Sequence, residues 1–243
     1  MHPTYLRYEL MRNFRNWRFV LFSLGYPVVL YLVVTSPQRH AKFDGVAFPL
    51  YFMAGMAAVG TMIAVLSSGA RIAADRSAGW TRQLRITPLT AGDYLGAKVA
   101  TGFLMALLAI LLVSLSGTAL GVRLSGGEWL TMIGLMLVGL VPIAVLGILL
   151  GHLVTPDSLA PAVGGTIMLL ALLGGAYGFL LAKSGALFDL IRALPSYWLV
   201  QAGKTALGGG AWPAEGWIVM VAWTLVLTPL AVLVHKRDTR LPR

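Results

Sequence analysis

The stretch AADRSAGWTRQLRITPLTAGDYLGAK, residues 73–98, is the one well-charged segment in the middle of an apolar chain. Long runs on either side of it carry no charge, whereas the segment itself holds Asp75, Arg76, Arg82, Arg85, Asp93 and Lys98. Such a segment is either a solvated connector between apolar segments or a surface on which another protein docks. The sequence on both sides has to decide between these interpretations.

The composition is that of an integral membrane protein. Of the 243 residues, 58% are hydrophobic and 12% are charged, and the mean hydropathy is +0.79, whereas a soluble domain carries about 25% charged residues. So few charges cannot cover a water-facing surface of ordinary size. The absence of cysteine excludes a disulfide framework and a cysteine-ligated metal site. In a membrane protein, the net charge of +10 matters through its placement along the chain and does not indicate a nucleic-acid partner.

Six stretches are apolar for the roughly 20 residues that a helix needs to cross a bilayer. None of them contains Asp, Glu, Lys or Arg, and they lie at about 19–35, 46–70, 99–122, 129–154, 159–181 and 217–234. Only TPDS, residues 155–158, separates the fourth from the fifth, which predicts an antiparallel helical hairpin. The sequence therefore predicts an all-α fold in a single transmembrane domain, residues 1–243.

The placement of Lys and Arg near the span ends predicts the orientation. Thirteen lie on the side of the two termini and of residues 71–98, and six lie on the other side. Because cytoplasmic loops carry the excess of positive charge, both termini and residues 71–98 are predicted to be cytoplasmic, in a multi-pass protein of the plasma or inner membrane. Residues 182–216 would then be extracytoplasmic, and their semi-apolar composition predicts a segment that re-enters the outer leaflet under a cover of protein.

Residues 1–18 have the pattern of an amphipathic helix. At about 100° per residue, Leu6, Leu10, Phe14 and Trp17 fall within one arc, and four arginines lie opposite. This pattern is typical of a helix in the cytoplasmic membrane interface, with its arginines toward anionic headgroups. A helical extension of the first span is the alternative.

Residues 71–98 read as a helix, a sharp turn and a second helix. Pro88 disfavours helix at the residue before it, and Thr90 with Asp93 matches the Thr-x-x-Asp pattern that caps a helix leading into the third span. We expect Trp80 and the arginines to be exposed there. The pattern alone leaves docking and a plain connector equally open.

Motifs for catalysis, metal binding or ion coupling are missing. Gly203-Lys204-Thr205 resembles the end of a phosphate-binding loop, but Trp198 stands where that motif needs its first glycine. The histidines have no partner at metal-ligand spacing; they are His2, His40, His152 and His235. Spans without ionisable residues disfavour an ion-coupled secondary transporter. If the protein moves a compound, we expect the energy to arrive at a cytoplasmic docking surface, which is the segment 71–98.

On these residues the chain resembles the permeases of ABC-2 type transporters, which are membrane subunits of exporters of drugs or lipids. That family's cytoplasmic signature begins with an acidic residue followed by Arg and ends with Gly-x-Lys. Between them stand, in order, a Gly, an aromatic residue or Thr, a Leu and a Thr/Ser-Pro pair. The matching positions are Asp75, Arg76, Gly79, Trp80-Thr81, Leu84, Thr87-Pro88, Gly96 and Lys98. Asp75 departs from the more frequent Glu, and Trp80 departs from a simple Gly-Thr. LPSYWLVQAGKTALGGG, residues 194–210, is also similar to the outer segment before the family's last span.

The resemblance implies a non-catalytic permease subunit that needs no cofactor of its own. Two copies, or one copy with a similar chain, would form the pathway in the lipid bilayer, and a separate ATPase subunit would hydrolyse ATP with Mg. Residues 71–98 would carry the coupling helix that sits on this ATPase. The candidates for contact or for shape-setting are Asp75, Arg76, Gly79, Trp80, Leu84 and Pro88.

The family's pathway involves spans two and five, with spans one and five near the dimer seam. The resemblance gives as substrate-path candidates Tyr51, Phe52, Met56 and Tyr177. Gly174 and Gly178 have the GxxxG spacing of packed helices, but so do Gly117 with Gly121 and Gly147 with Gly151, so the motif alone does not choose the interface. The uncharged spans favour an apolar or amphipathic cargo, either a drug-like molecule or a lipid. The alternatives are a non-transporting assembly or immunity protein, a secondary transporter and a membrane-embedded enzyme.

Overall fold

A computed structural model of the chain describes residues 3–43, 45–80, 89–178, 180, 183–205 and 210–240. Helices dominate these residues, and the only strands among them are two short ones that pair antiparallel, with Phe43 opposite Val46. In chain order the elements are α1 Pro3–Arg15, α2 Trp17–Val20, a π-helical turn Leu21–Gly25, α3 Tyr26–Thr35, a 3₁₀ turn Ser36–Gln38, β1 Lys42–Phe43, β2 Val46–Ala47, α4 Phe48–Ser77, α5 Ala91–Ala119, α6 Gly126–Leu153, α7 Pro156–Leu173, α8 Ala186–Arg192, α9 Pro195–Thr205 and α10 Ala214–Arg240.

Six helical segments of the described chain are long and apolar enough to cross a membrane, which confirms the predicted multi-span helical class. They are Leu21–Gln38, α4, most of α5, α6, α7 and most of α10. The helices extend beyond the charge-free stretches, because α4 continues to Ser77 and α5 begins already at Ala91. Charged residues end a hydropathy signal but not a helix, so much of the predicted polar segment 71–98 belongs to two long helices.

Helices α5 and α7 begin with side-chain caps, the first of them predicted from the sequence. Thr90 accepts a hydrogen bond from the backbone N–H of Asp93 at 3.1 Å, which confirms the predicted start of the helix that leads into the third span. Thr155 and Ser158 form a capping box at the start of α7, two residues after α6 ends. Both caps satisfy backbone N–H groups that have no partner within the helix. Two residues separate α6 from α7, as expected for the predicted short connection, and the antiparallel hairpin stays a prediction.

α4 is the central helix of the bundle. Of its apolar window 89% is buried inside the chain, against 17% for both α7 and α10. It packs against α3, α5, α6, α7 and α9. A helix that is apolar all round is suited either to lipid or to a core, and only the packing shows that α4 belongs to the core.

Glycines bring α4 and α6 into backbone contact. A Cβ atom on Gly151 would lie 2.5 Å from the carbonyl oxygen of Gly69, and one on Gly147 would lie 3.1 Å from the Cα atom of Leu66. Such an approach is possible only without side chains at these positions. Of the three GxxxG pairs named in the sequence analysis, Gly147 with Gly151 therefore forms a helix contact.

The packing predicted for Gly174 and Gly178 on one helix is not formed, because α7 ends at Leu173. The N–H of Ala176 donates to the carbonyl of Ala171, Gly175 has φ +74°, and Gly178 has φ +94°. This is the hydrogen-bond pattern with which a left-handed glycine terminates a helix. Gly174 still allows a close approach, since a Cβ atom there would lie 2.9 Å from the carbonyl oxygen of Ser196.

Gly121, the second member of another GxxxG pair, also follows a helix end and has φ +92°. The N–H of Val122 donates to the carbonyl of Gly117, the same pattern that terminates α7. Gly117 itself lies against α4, since a Cβ atom there would lie 2.3 Å from the sulfur of Met53.

The helix directions give the bundle two ends. We call the charged end the one at which α1 contacts the last turns of α4 and the first turns of α5. The last turn of α6 lies at this end too, because it contacts α4 through Arg76 and α10 through His235. We call the loop end the opposite one, at which α8 and α9 lie beside the first turns of α4, α6 and α10. The semi-apolar segment 182–216 contributes α9, whose Trp198 and Leu199 are buried against the bundle.

Candidate functional site

α1 turns two polar side chains, Glu9 and Asn13, into the chain. Glu9 and Asn13, one turn apart, are fully buried, whereas Met11, Phe14 and Trp17 are 52%, 49% and 65% exposed. The predicted helix exists over Pro3–Arg15, but of its predicted apolar arc only Phe14 and Trp17 are exposed, while Leu6 and Leu10 are half-buried. The predicted sorting of charges is only partly correct, because one of the four arginines, Arg12, turns into the chain. Asn13 also accepts a hydrogen bond from Arg71 of α4.

Two carboxylates and two cations meet under α1. Nζ of Lys98 lies 2.6 Å from Oε1 of Glu9 and 2.7 Å from Oδ2 of Asp75. The guanidinium of Arg12 lies 3.0 Å from Oδ1 of Asp75 and 3.2 Å from Oε1 of Glu9. The hydroxyl of Tyr94 donates to Oδ2 of Asp75 at 2.8 Å. We call Glu9, Arg12, Asp75, Tyr94 and Lys98 the charge network.

The side chains of the charge network are buried, and their opposite charges are paired. The side chains of Glu9 and Lys98 are fully inaccessible and that of Asp75 is 6% exposed. Burial of an unpaired charge is costly, so two negative and two positive groups are held in contact. Burial by itself would lower the pKa of Arg12, but the carboxylates of Asp75 and Glu9 outweigh it and raise that pKa. The network thereby joins three helices: α1, α4 and α5.

Trp80 packs under α1, so the expectation of an exposed tryptophan is corrected. Its ring is partly buried and stacks with Tyr8 of α1 at a centroid distance of 6.2 Å. Tyr5, one turn earlier in α1, lies 6.2 Å from the ring of Tyr94. These rings cover one side of the charge network and shield it from water.

Arg76 joins α4 to the end of α6. Its guanidinium donates hydrogen bonds to the carbonyls of Gly151, at 3.2 Å, and of His152. These carbonyls belong to the last turn of α6, where a cation interacts favourably with the helix dipole. Arg76 therefore holds the position of two long helices at the charged end.

Four of the six coupling candidates lie in the described chain, and their positions suit shape-setting. Asp75, Arg76 and Trp80 make the internal contacts given above. Gly79 has φ +70° directly after α4, a conformation that favours glycine, and a Cβ atom there would meet nothing within 4 Å. The remaining two, Leu84 and Pro88, lie outside the described residues, and contact of any of the six with a partner stays a prediction.

Glu9 is the functional candidate that the sequence pattern did not single out. It is the only acidic residue among the first 18, and it stands three residues before Arg12. A lone acid on an arginine-rich helix signals an internal partner. That partner could not be identified, because Lys98 follows 89 residues later.

Two histidines taken as scattered in the sequence come together at the charged end. Nδ1 of His235 lies 3.3 Å from Nε2 of His152, and the two rings cross at 73°. Within the described ranges, no group of three or more His, Cys, Asp or Glu could hold a metal ion. The pair is therefore a contact between α6 and α10.

The substrate-path candidates lie at the loop end. Tyr51, Phe52 and Met56 of α4 are 6%, 3% and 0% exposed. A Cβ atom on Gly178 would lie 3.8 Å from the ring of Tyr51 and 3.6 Å from that of Phe52. The turn that carries Tyr177 is thus next to two of the three α4 candidates, while Met56 lies one turn deeper in the core.

Comparison with known proteins gives one informative similarity. The chain is 27% identical over 233 residues, 95% of its own length and 95% of the relative's, to "Putative transport permease YvfS" of Bacillus subtilis (strain 168). No family model and no solved structure matches the chain. A similarity along nearly the whole length, together with six apolar helices, supports a multi-pass membrane protein related to transport permeases and is consistent with an ABC-2 type permease.

Proposed function

We propose that this chain is the permease subunit of an ABC-2 type exporter, driven by ATP that a separate ATPase subunit hydrolyses with Mg. The charge network is the observation that carries the proposal. Apolar residues of the same volume would stabilise a helix junction as well as a buried ion cluster does, or better. A cluster with fixed partners instead specifies one arrangement of α1, α4 and α5, which suits helices that have to move together.

The segment between α4 and α5 is the proposed docking surface for the ATPase. It leaves α4 at Gly79 and returns at Thr90, the cap of α5. A displacement of this segment acts on the ends of both helices, which the charge network joins to α1. Because α4 is the central helix and contacts α6 through glycine backbones, the displacement reaches the interior of the bundle.

The remaining parts of the proposal follow from charge and composition. The excess of Lys and Arg on the side of the charged end favours a cytoplasmic location for that end and for both termini, in the plasma or inner membrane. A second copy, or a similar chain, would complete the pathway. Cargo would pass along α4 and the turn that holds Tyr177, and the apolar spans favour an apolar or amphipathic compound.

The first experiment is a pull-down of the tagged protein from its native membranes in mild detergent. We expect an ATPase with a phosphate-binding loop at about one copy per permease, and nucleotide-dependent transport by the reconstituted complex. Absence of an ATPase, with crosslinking showing that complexes survive the detergent, contradicts the proposal. An ATPase that co-purifies without any transport would instead favour the assembly or immunity protein.

Docking and internal coupling can be separated by two variants. Leu84→Asp places a charge in the proposed docking segment, whereas Trp80→Asp would also disturb the contact with Tyr8. We expect Leu84→Asp to lose the ATPase from the pull-down while the purified permease keeps its melting temperature. Retention of the ATPase at the wild-type ratio would remove this residue from the docking surface.

A further inference from the structure

The loop end contains a cation beside the aromatic residues of α4. Nζ of Lys204, in the last turn of α9, lies 4.0 Å from the ring centroid of Tyr51. This is the geometry of a cation–π contact. Tyr51 is 6% exposed and Lys204 is partly buried, so the contact between α4 and α9 is largely removed from solvent.

Backbone packing holds this contact in place. A Cβ atom on Gly203 would lie 2.2 Å from the Cβ of Ala54, so α9 and α4 touch directly beside Lys204. Lys204 is the only charged residue of α9, and α4 has none before Arg71. Lys204 is thus the one cation that α4 and α9 contribute at the loop end.

Aromatic surface surrounds the cation. Phe52 stacks on Phe48 at 5.6 Å, and the turn at Gly178 lies against the rings of Tyr51 and Phe52. Tyr177 and Phe48 are partly exposed, so this surface is accessible from outside the chain. An ammonium group beside aromatic rings offers one site for a negative charge and an adjoining one for an apolar chain.

We propose that Lys204, with Tyr51 beneath it, binds the acidic head of an amphiphile, a carboxylate or a phosphate, whose apolar part lies on the neighbouring aromatic rings. The inference deepens the proposed function, on which it rests, by assigning the cargo to the class of acidic amphiphiles. A neutral apolar cargo gains nothing from a cation at this place, whereas a charged hydrogen bond to an anion adds both affinity and selectivity.

The test is binding of dodecyl phosphate and of its neutral counterpart, dodecanol, to the full chain in nanodiscs of phosphatidylcholine. Binding is measured without ATP and without a partner, by native mass spectrometry. We expect the wild type to bind dodecyl phosphate at least about tenfold more tightly than dodecanol. Lys204→Gln should remove this preference, Lys204→Arg should keep it, and Lys42→Gln, an exposed lysine at the same end, should not change it.

Each outcome decides the inference. Equal affinity of the wild type for the two probes, or an unchanged preference in Lys204→Gln, overturns it. If Lys204→Gln fails to fold, Tyr51→Leu replaces it, and there a weaker preference supports the site while an unchanged one overturns it. Because the assay contains no ATPase, preserved binding together with a failed pull-down would refute the proposed function and leave the site standing.

A second arm distinguishes cargo from bilayer lipid, which shares the same acidic chemistry. The nanodiscs are prepared again with phosphatidylglycerol in place of half of the phosphatidylcholine. If the site takes a transported amphiphile, dodecyl phosphate still binds with the preference that depends on Lys204. If anionic lipid abolishes that preference, the site belongs to a lipid headgroup and the assignment to cargo is overturned.

Discussion

The two ends of the bundle hold their polar groups in opposite ways. At the charged end, Glu9, Asp75 and Lys98 are buried together, and with Arg12 two carboxylates face two cations across three helices. At the loop end, the ion pair between Arg192 and Glu215 is about 40% exposed, with side chains 36% and 43% accessible, and close packing relies on glycines such as Gly203. Both ends use close glycine packing, as Gly151 against Gly69 shows at the charged end, but the charged end adds matched buried charges, whereas the ion pair described at the loop end is partly exposed.

Removal of one charge at the charged end should have the largest effect. Lys98→Met removes from the carboxylates of Glu9 and Asp75 the fully buried cation that contacts both, and we expect a loss of about 3–5 kcal/mol in the free energy of unfolding. Thermal unfolding of the purified protein in detergent measures it, with Lys42→Met as the exposed control. Adding Glu9→Gln to Lys98→Met should recover part of the loss. Equal melting temperatures for the two lysine variants would show that the network does not stabilise the fold.

Added volume at the loop end should have the next largest effect. Gly203→Ala places a Cβ atom 2.2 Å from that of Ala54, and overpacking of this kind costs about 1–3 kcal/mol. Gly134→Ala is the matched control, because a Cβ atom there would meet nothing within 4 Å. We expect the control to be neutral or slightly stabilised, since alanine favours helix over glycine. Equal stability of the two variants would show that the packing at Gly203 tolerates an added methyl group.

A cap at the charged end tests a contribution that needs no buried charge. Thr90→Ala removes the acceptor for the N–H of Asp93, and the loss of an N-cap costs about 1 kcal/mol. We expect faster hydrogen exchange of the first amides of α5, with the charge network intact. Unchanged exchange there, relative to wild type, would mean that packing rather than the cap fixes the start of α5.

The ion pair at the loop end should contribute least. Glu215→Gln removes the partner of Arg192, but exposed pairs are worth about 0–1 kcal/mol because water screens them. The melting temperature in detergent should stay within the error of the wild-type value. A loss as large as that of Lys98→Met would show that the two ends do not differ as described.

The first turns and the ends of helices were predictable where the signal is local. Thr90 with Asp93 indicated the start of α5, and the short stretch 155–158 indicated a short connection between α6 and α7. Glycine patterns were less informative. The spacing of Gly174 and Gly178 equals that of Gly147 and Gly151, yet only the second pair lies within one helix, because the first follows the left-handed termination of α7.

Partners across the chain could not be predicted. Trp80 was expected to be exposed because its sequence neighbours are polar, but Tyr8 of α1 covers it. Glu9 and Lys98 stand 89 residues apart, and no rule of local spacing relates them. Lys204 was first noticed as part of an incomplete phosphate-binding motif, and only the fold places it on Tyr51.

The sequence alone determined the class of the protein, the number of its apolar spans and the cap of α5, because hydropathy and capping depend on residues that are neighbours along the chain. The tertiary structure decided which span is central and which charges meet. α4 and α10 are both strongly apolar, but 89% of the one and 17% of the other is buried. Lipid and protein core favour the same side chains, so composition cannot distinguish them, and buried charges find their partners only when the helices pack.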